Sequence, residues 1–383
     1  MYYVAELNVT INGFELTTVV SIKIEKNSAK IGTFMEITVP LNCYINYKNP
    51  NNLTTYLTEI RSDLFPQGTP IVVQAAYDGH PLRTIFSGFV YDFKLATPLT
   101  IKCADYVYFL ELNIFGSQNV STTNKAGTKI KDSGKGINYK SATFVEILQQ
   151  LVAFTNTIIQ AELPNNTPPL LQLILPVPGI TFQNLTFVSM SPAAILEYFK
   201  KNLYFNITLY GNMLYVNLAS NTLSEITADT RYNVIGTPSI QSNNTVFEHI
   251  RMRSWFINPN GTRSFFETGD PNGKQEESFF YDVANIGDQY ATLANQALLQ
   301  AKQHRYKGDI ELLLYPECDL YWRVNYLDAR YPERNGTYVI QGLTIELSEK
   351  GFHQKLKLSY LDISTYEFLN QQGKTLLASG NSL

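Results

Sequence analysis

The sequence predicts a β-rich α+β protein in which two antiparallel β-barrel-like domains flank a small α+β insert domain. Three observations predict it. Period-two alternation dominates the N-terminal part of the chain and returns from about Val246. Between these parts, after Leu112, composition shifts to a Gly-, Ser-, Thr-, Asn- and Lys-rich stretch followed by apolar residues at helical spacing. The length of 383 residues suggests two or three domains. The expected division is a first β domain at 1–112, the insert at 113–240, a second β domain with one helix at 241–362, and a tail at 363–383.

The N-terminus, MYYVAELNVTING, reads as a first strand. It has neither the basic start nor the apolar run of a secretory signal, so the expected site of synthesis and first residence is the cytosol. Residues Ser21 to Lys26 alternate cleanly. Met35, Ile37 and Val39 alternate with Glu36 and Thr38 and stop at Pro40. The segment from Ile71 to Tyr77 leads into Asp78-Gly79, a hairpin signal. "RTIFSGFVYDFKL" and "LTIKCADYVYFLEL" continue as strands, and "NYKNPNNLTTYLTEIRSDLFPQGTP" reads as a long connection with one helical turn.

In the insert, Thr143 and Glu146 form a capping box, and Phe144, Ile147, Leu148, Leu151 and Val152 make one apolar helix face. After a Pro-rich passage, Ser191 is an N-cap with Pro192 at the first helical position. Ile195, Leu196 and Phe199 form that helix's face, with Lys200 and Lys201 in its last turn, where the helix dipole favours cations. "LYFNITLYGNMLYVNL" is a hairpin turning at Gly211-Asn212. Further on, "TVFEHIRMRSWFI" and "RSFFETG" form a hairpin across "NPNGT". A third helix has the face Tyr290, Leu293, Ala294, Ala297, Leu298 and Ala301, and Gly308 is expected to end it. "DIELLLYP" and "YWRVNYLD" follow as strands. A long hairpin, "YVIQGLTIELSEKGFHQKLKLSYLD", closes the domain, and beyond about Ser364 one short helix at most is expected.

Chemistry is sparse along this chain. His80, His249, His304 and His353 lack metal-ligand spacing, and Cys43, Cys103 and Cys318 read as buried thiols. The Gly-Lys-Gly in "KDSGKGINYK" lacks the spacing of a phosphate-binding loop. There is no G-x-S-x-G elbow, and adjacent carboxylates such as Glu276 and Glu277 point to opposite faces of a strand. No enzyme activity, cofactor or metal is expected. Several Asn-x-Ser/Thr triplets, among them those at Asn8, Asn119, Asn184, Asn206, Asn260 and Asn335, reflect an Asn- and Thr-rich composition.

Composition points instead to assembly. Net charge is −3 and 16% of residues are charged, which argues against a nucleic-acid clamp. No apolar run is long enough for a membrane span. The 25 Tyr and 22 Phe suit a β-rich chain with aromatic, weakly charged contact surfaces.

Four passages, in order, resemble the baseplate hub proteins of contractile phage tails, the late control protein D family, and the hub part of type VI secretion VgrG spikes. "GFELTTVVSIKIEKNSAKIGTFMEITVP" resembles the family's opening, with Gly32-Thr33-Phe34 leading a strand. "IFSGFVYDF" is similar to its second signature, an aromatic before Gly88. "LTIKCADYVYFLEL" matches the next strand, with Ala104-Asp105 before an aromatic run. "NGTYVIQGLTIELSEKGFHQKLKLS" resembles the closing hairpin, with Gly351-Phe352 at its turn. The likeness spans about residues 5 to 362. The chain departs from the family at "YPECDLYWRV", where Pro316 stands without the usual following Gly, and a fused spike module is not expected.

The resemblance implies a structural hub in a tail or injection-system baseplate, assembled in the host cytoplasm. It implies a homotrimer whose two β domains per chain give a pseudo-six-fold ring around a channel. Its partners would be a hexameric tail tube protein, a separate central spike and other baseplate proteins. Membrane insertion and sequence-specific nucleic-acid binding are not expected. Phe34, Gly88, Asp105, Gly351 and Phe352 are the structural motif positions: Gly88 and Gly351 for tight backbone geometry, Phe34 for the core. Two other readings fit the sequence. One is the tail-associated hub of a non-contractile phage, and the other is a carbohydrate-binding or carbohydrate-cleaving β protein.

Overall fold

The computed structural model describes residues 5–40, 43–48, 55–60, 65–77, 79–94, 97–115, 137–163, 168–174, 181–218, 224–242, 249–258, 261–280, 289–302 and 306–360. The chain begins with β1 (Ala5–Ile11), β2 (Phe14–Leu16), β3 (Ser21–Asn27), β4 (Thr33–Val39), β5 (Tyr44–Lys48), β6 (Thr55–Glu59), β7 (Pro70–Tyr77), β8 (Arg83–Lys94) and β9 (Leu99–Ala104). The middle comprises α1 (Val107–Leu112), β10 (Ile137–Thr143), α2 (Phe144–Glu162), β11 (Gln172–Ile174), β12 (Thr181–Phe187), α3 (Pro192–Leu203), β13 (Phe205–Tyr210) and β14 (Met213–Leu218). Then come β15 (Glu225–Asp229), β16 (Val234–Ile235), β17 (Gln241–Ser242), β18 (Ile250–Ile257), β19 (Arg263–Gly269), β20 (Lys274–Phe280) and α4 (Gln289–Lys302). The chain closes with β21 (Tyr306–Leu313), β22 (Arg323–Leu327), β23 (Gly336–Ser348) and β24 (Gly351–Tyr360).

The β-rich α+β class and the large antiparallel sheet agree with the sequence reading. Strands from both ends of the chain form one 16-stranded sheet, ordered β16-β21-β24-β23-β3-β4-β9-β8-β7-β1-β2-β5-β6, with β17, β22 and β15 attached at its C-terminal side. The seam between the two ends is β3 against β23. It is antiparallel over seven residue pairs, from Ser21↔Ser348 to Asn27↔Gly342. Alternation explains why the register is unique. Ile22 and Ile24 face Leu347 and Ile345 on the buried side, while Lys23 sits opposite Glu346 on the other. A slip of one residue would bury the lysine and expose both isoleucines, each worth about 1.5–3 kcal/mol when buried.

Two cores result. One lines the large sheet and draws on both chain ends, from Val9 and Ile37 to Val324 and Leu356. The other is built around α2 and α3 and continues into β18, β20 and α4 through Met252, Phe256, Phe280 and Leu298. Local rules account for the helices at its centre. Thr143 accepts from the Glu146 amide while Glu146 accepts from the Thr143 amide, and Ser191 caps α3 ahead of Pro192. The predicted faces of both helices are buried.

Several local expectations need correction. The run "ADYVYFLEL" leaves the strand at Ala104 and becomes α1, because Asp105 accepts from the Val107 amide and turns the chain. The "long connection" contains a hairpin, β5 with β6, paired from Tyr44↔Glu59 to Lys48↔Thr55. Gly308 does not end the third helix, which is described to Lys302, but lies inside β21 opposite Leu358. Of the stretch read as a loop, residues 137–141 belong to β10, while 116–136, Asp78, His304, Arg305 and everything after Tyr360, including the expected short tail helix, lie outside the described residues.

Candidate functional site

The sequence-predicted motif positions fall at two places. Phe34, Gly88 and Asp105 come together where β4, β8 and β9 meet. Phe34 pairs with Ala104, Phe89 pairs with the same residue from the other side, and Asp105 follows it. The Asp105 carboxylate is buried and accepts from the amides of Thr33 at 2.7 Å and Val107 at 2.9 Å, tying the start of β4 to α1. Burial pushes its pKa up to about 6, against the opposing pull of those amides and of Lys26. At Gly88 any Cβ would stand 2.3 Å from the Ala104 carbonyl, so β8 approaches β9 here only because the side chain is missing. Phe34 is half-buried, edge-on to Tyr91 at 6.3 Å, with the Lys30 ammonium 5.8 Å from its ring centre. Gly351 and Phe352 lie elsewhere. Gly351 opens β24 at φ +116° after the Glu349-Lys350 turn, and Phe352 is buried in the large-sheet core.

No chemistry assembles around them. Among the described residues there is no group of three or more His, Cys, Asp or Glu side chains able to hold a metal ion. His80 stacks on Tyr315 at 4.6 Å, His249 meets Asp270 at 2.6 Å, and His353 lies 3.3 Å from Glu311. Cys43, Cys103 and Cys318 are buried free thiols, whose pKa values burial raises. Among the described residues, no helix is long and apolar enough to cross a membrane.

Three other features stand out among the described residues. The first is a cavity of about 250 Å³ at the joint of the two chain ends and the insert. Lys26 from β3 spans it, reaching Asp319 at 2.6 Å and lying 5.6 Å from the ring centre of Tyr210 on β13. Both partners of that ion pair are largely buried, with side chains 15% and 13% exposed. Sequence reading missed this pair, since nothing local relates residues on strands so far apart in the chain.

The second feature is the outer face of the β19-β18-β20 sheet. Its inner face carries Met252 and Phe256 and packs on α4. On the outer face, Trp255 pairs with Phe265 on β19 and Phe279 on β20, so three aromatics form a row across three strands. Phe265 and Phe279 are 51% and 49% exposed. The Arg253 guanidinium lies 4.7 Å from the Phe265 ring centre and pairs with Glu267. Exposed aromatics in a contiguous row are characteristic of contact surfaces. Only the spacing "RMRSWF" hinted at them. The third feature is a wider cleft of about 560 Å³ between α3 and the large sheet.

In sequence the chain matches no known family and no curated protein. Solved structures share its fold. A tail protein from Neisseria meningitidis MC58 aligns with TM-score 0.57 and 12% identity, covering 93% of this chain and 96% of that one. The 43 kDa tail protein of prophage MuSo2 from Shewanella oneidensis aligns with TM-score 0.55 and 11% identity, covering 93% and 96%. Prophage tail protein gp18 from Listeria monocytogenes EGD-e aligns with TM-score 0.56 and 11% identity, covering 97% and 99%. The likeness at such low identity is one of fold, and it runs through almost the whole length of each chain.

Proposed function

We propose that this chain is a structural baseplate hub of a contractile tail or contractile injection system. Three copies form a ring with pseudo-six-fold character that joins a hexameric tail tube to a separate central spike, among other baseplate proteins. The carrying observation is the β3–β23 seam, which sets the strands of the two chain ends side by side in one sheet. A closed cyclic trimer of such a protomer presents six comparable β units to one partner and three-fold symmetry to another. The fold shared with tail proteins along the whole chain supports the same reading.

In this arrangement the β domains at 1–112 and 241–362 build the inner ring, and the insert at 113–240 lies outside it. Phe34, Gly88, Asp105, Gly351 and Phe352 keep the strands in place and take no part in chemistry. The protein has no catalytic role. Its place is the virion tail or injection-system baseplate.

Light scattering on the purified protein, with negative-stain images of the same peak, tests the proposal. The expected result is a trimer mass and a ring with a central hole and six lobes. A compact monomer at high concentration, unchanged when mixed with candidate tube and spike proteins, overturns it.

A further inference from the structure

The cleft between α3 and the large sheet concentrates positive charge in a chain of net charge −3. Its walls come from α3, from the turn after β3, and from β21, β23 and β24. Lys201, Lys307 and Lys357 line it, and none of the three forms an ion pair among the described residues. Lys355, on the same strand as Lys357, shows the contrast, since it is paired with Asp309 at 3.2 Å. One carboxylate, Glu197, lines the cleft against them.

A fourth lysine shapes the site. Lys200 is 8% exposed, and its ammonium donates to the carbonyls of Lys30 at 2.9 Å and Ile207 at 2.8 Å. It also sits 5.4 Å from the ring centre of Tyr321. It is therefore committed to holding α3, the turn after β3, and β13 in one arrangement. The three other ammoniums are left on a pre-formed wall, with Tyr321 and Phe205 buried beneath it. A volume of about 560 Å³ falls inside the roughly 300–1,000 Å³ of ligand pockets.

We infer that this cleft is a docking site for an acidic peptide segment of a partner protein. Charge complementarity carries the inference. Lysine offers a compact point charge, and the cleft has no arginine fork of the kind that grips phosphate in two-pronged fashion. The cleft also exposes no aromatic ring on which a base could stack, since Tyr321 and Phe205 are buried. The inference does not depend on the ring. Its readout is peptide affinity, whereas the ring is tested by mass.

The test is fluorescence anisotropy of the full chain with an end-labelled hexaglutamate peptide at low ionic strength. Saturable binding is expected, weakened at least tenfold in the Lys201→Glu/Lys307→Glu/Lys357→Glu variant, by Gln for Glu in the peptide, and by physiological salt. Lys201→Gln alone, at an exposed position near the helix end, should weaken binding severalfold and serves if the triple variant does not fold. No saturation up to millimolar peptide overturns the inference, as does equal affinity in the lysine variants. Tighter binding of a six-nucleotide oligothymidylate than of the peptide also overturns it and makes the cleft a phosphate site.

Discussion

Asp105 is held by two backbone amides, yet the cost of burial outweighs them and leaves its carboxyl with a pKa of about 6 instead of the usual value near 3.8. The folded state therefore binds this proton more tightly than the unfolded chain does. Its contribution to stability is most favourable below the unfolded value and is lost as pH rises through about 6. The difference corresponds to about 3 kcal/mol, at 1.36 kcal/mol per pKa unit. Asp105→Asn removes that pH dependence but points an NH₂ group at one of the two amides, at a cost of about 1–3 kcal/mol. Urea midpoints at pH 4 and pH 7 should show the variant well below the parent at pH 4 and closer to it at pH 7. A gap that stays constant with pH would show that the buried charge is not what penalises the folded state. The sequence singled out Asp105 but not its burial. Lys200 was read only as a last-turn lysine favoured by the helix dipole, since a dipole rule sees only the helix and not the carbonyls of Lys30 and Ile207 that hold it from other elements.

At the scale of elements, legibility followed the range of the determining contacts. The helices α2 and α3 were readable because their caps lie within three residues of one another. The hairpin turn at Gly211-Asn212 was readable for the same reason, whereas the closing turn falls at Glu349-Lys350, just before the Gly351-Phe352 expected there. Helix α1 was not, because six residues rich in aromatics carry too little periodicity to outvote a strand pattern. The β5–β6 hairpin was hidden by its Asn-rich connection. Gly88 was found as a motif position, and its physical reason came only with the fold. Gly88→Ala should force β8 away from β9 at Ala104, destabilising the protein by about 1–3 kcal/mol, the usual range for overpacking. The urea midpoint should fall with an unchanged slope. An alanine variant as stable as the parent would mean that the two strands can part at this point without loss.

For the whole molecule, the decisive contacts join parts that lie hundreds of residues apart, which no local pattern could reveal. The alternation of β3 and of β23 was legible separately, whereas their pairing was not, since many alternating strands could serve either as partner. The Lys26–Asp319 pair sits beside this seam and links it to Tyr210 of the insert. Removing one partner strands a mostly buried charge, so Lys26→Met should cost about 3 kcal/mol. Lys26→Met with Asp319→Leu replaces both charges by apolar groups of similar size and should recover most of that loss. Because one core runs through both ends of the sheet, the loss should appear as a lower midpoint of a single unfolding transition. Two separate transitions in the single variant would mean that the chain ends unfold independently, and the seam would then be a contact between autonomous domains. That outcome would also weaken the rigid protomer that a closed ring requires, whereas a single shifted transition leaves the sheet acting as one body.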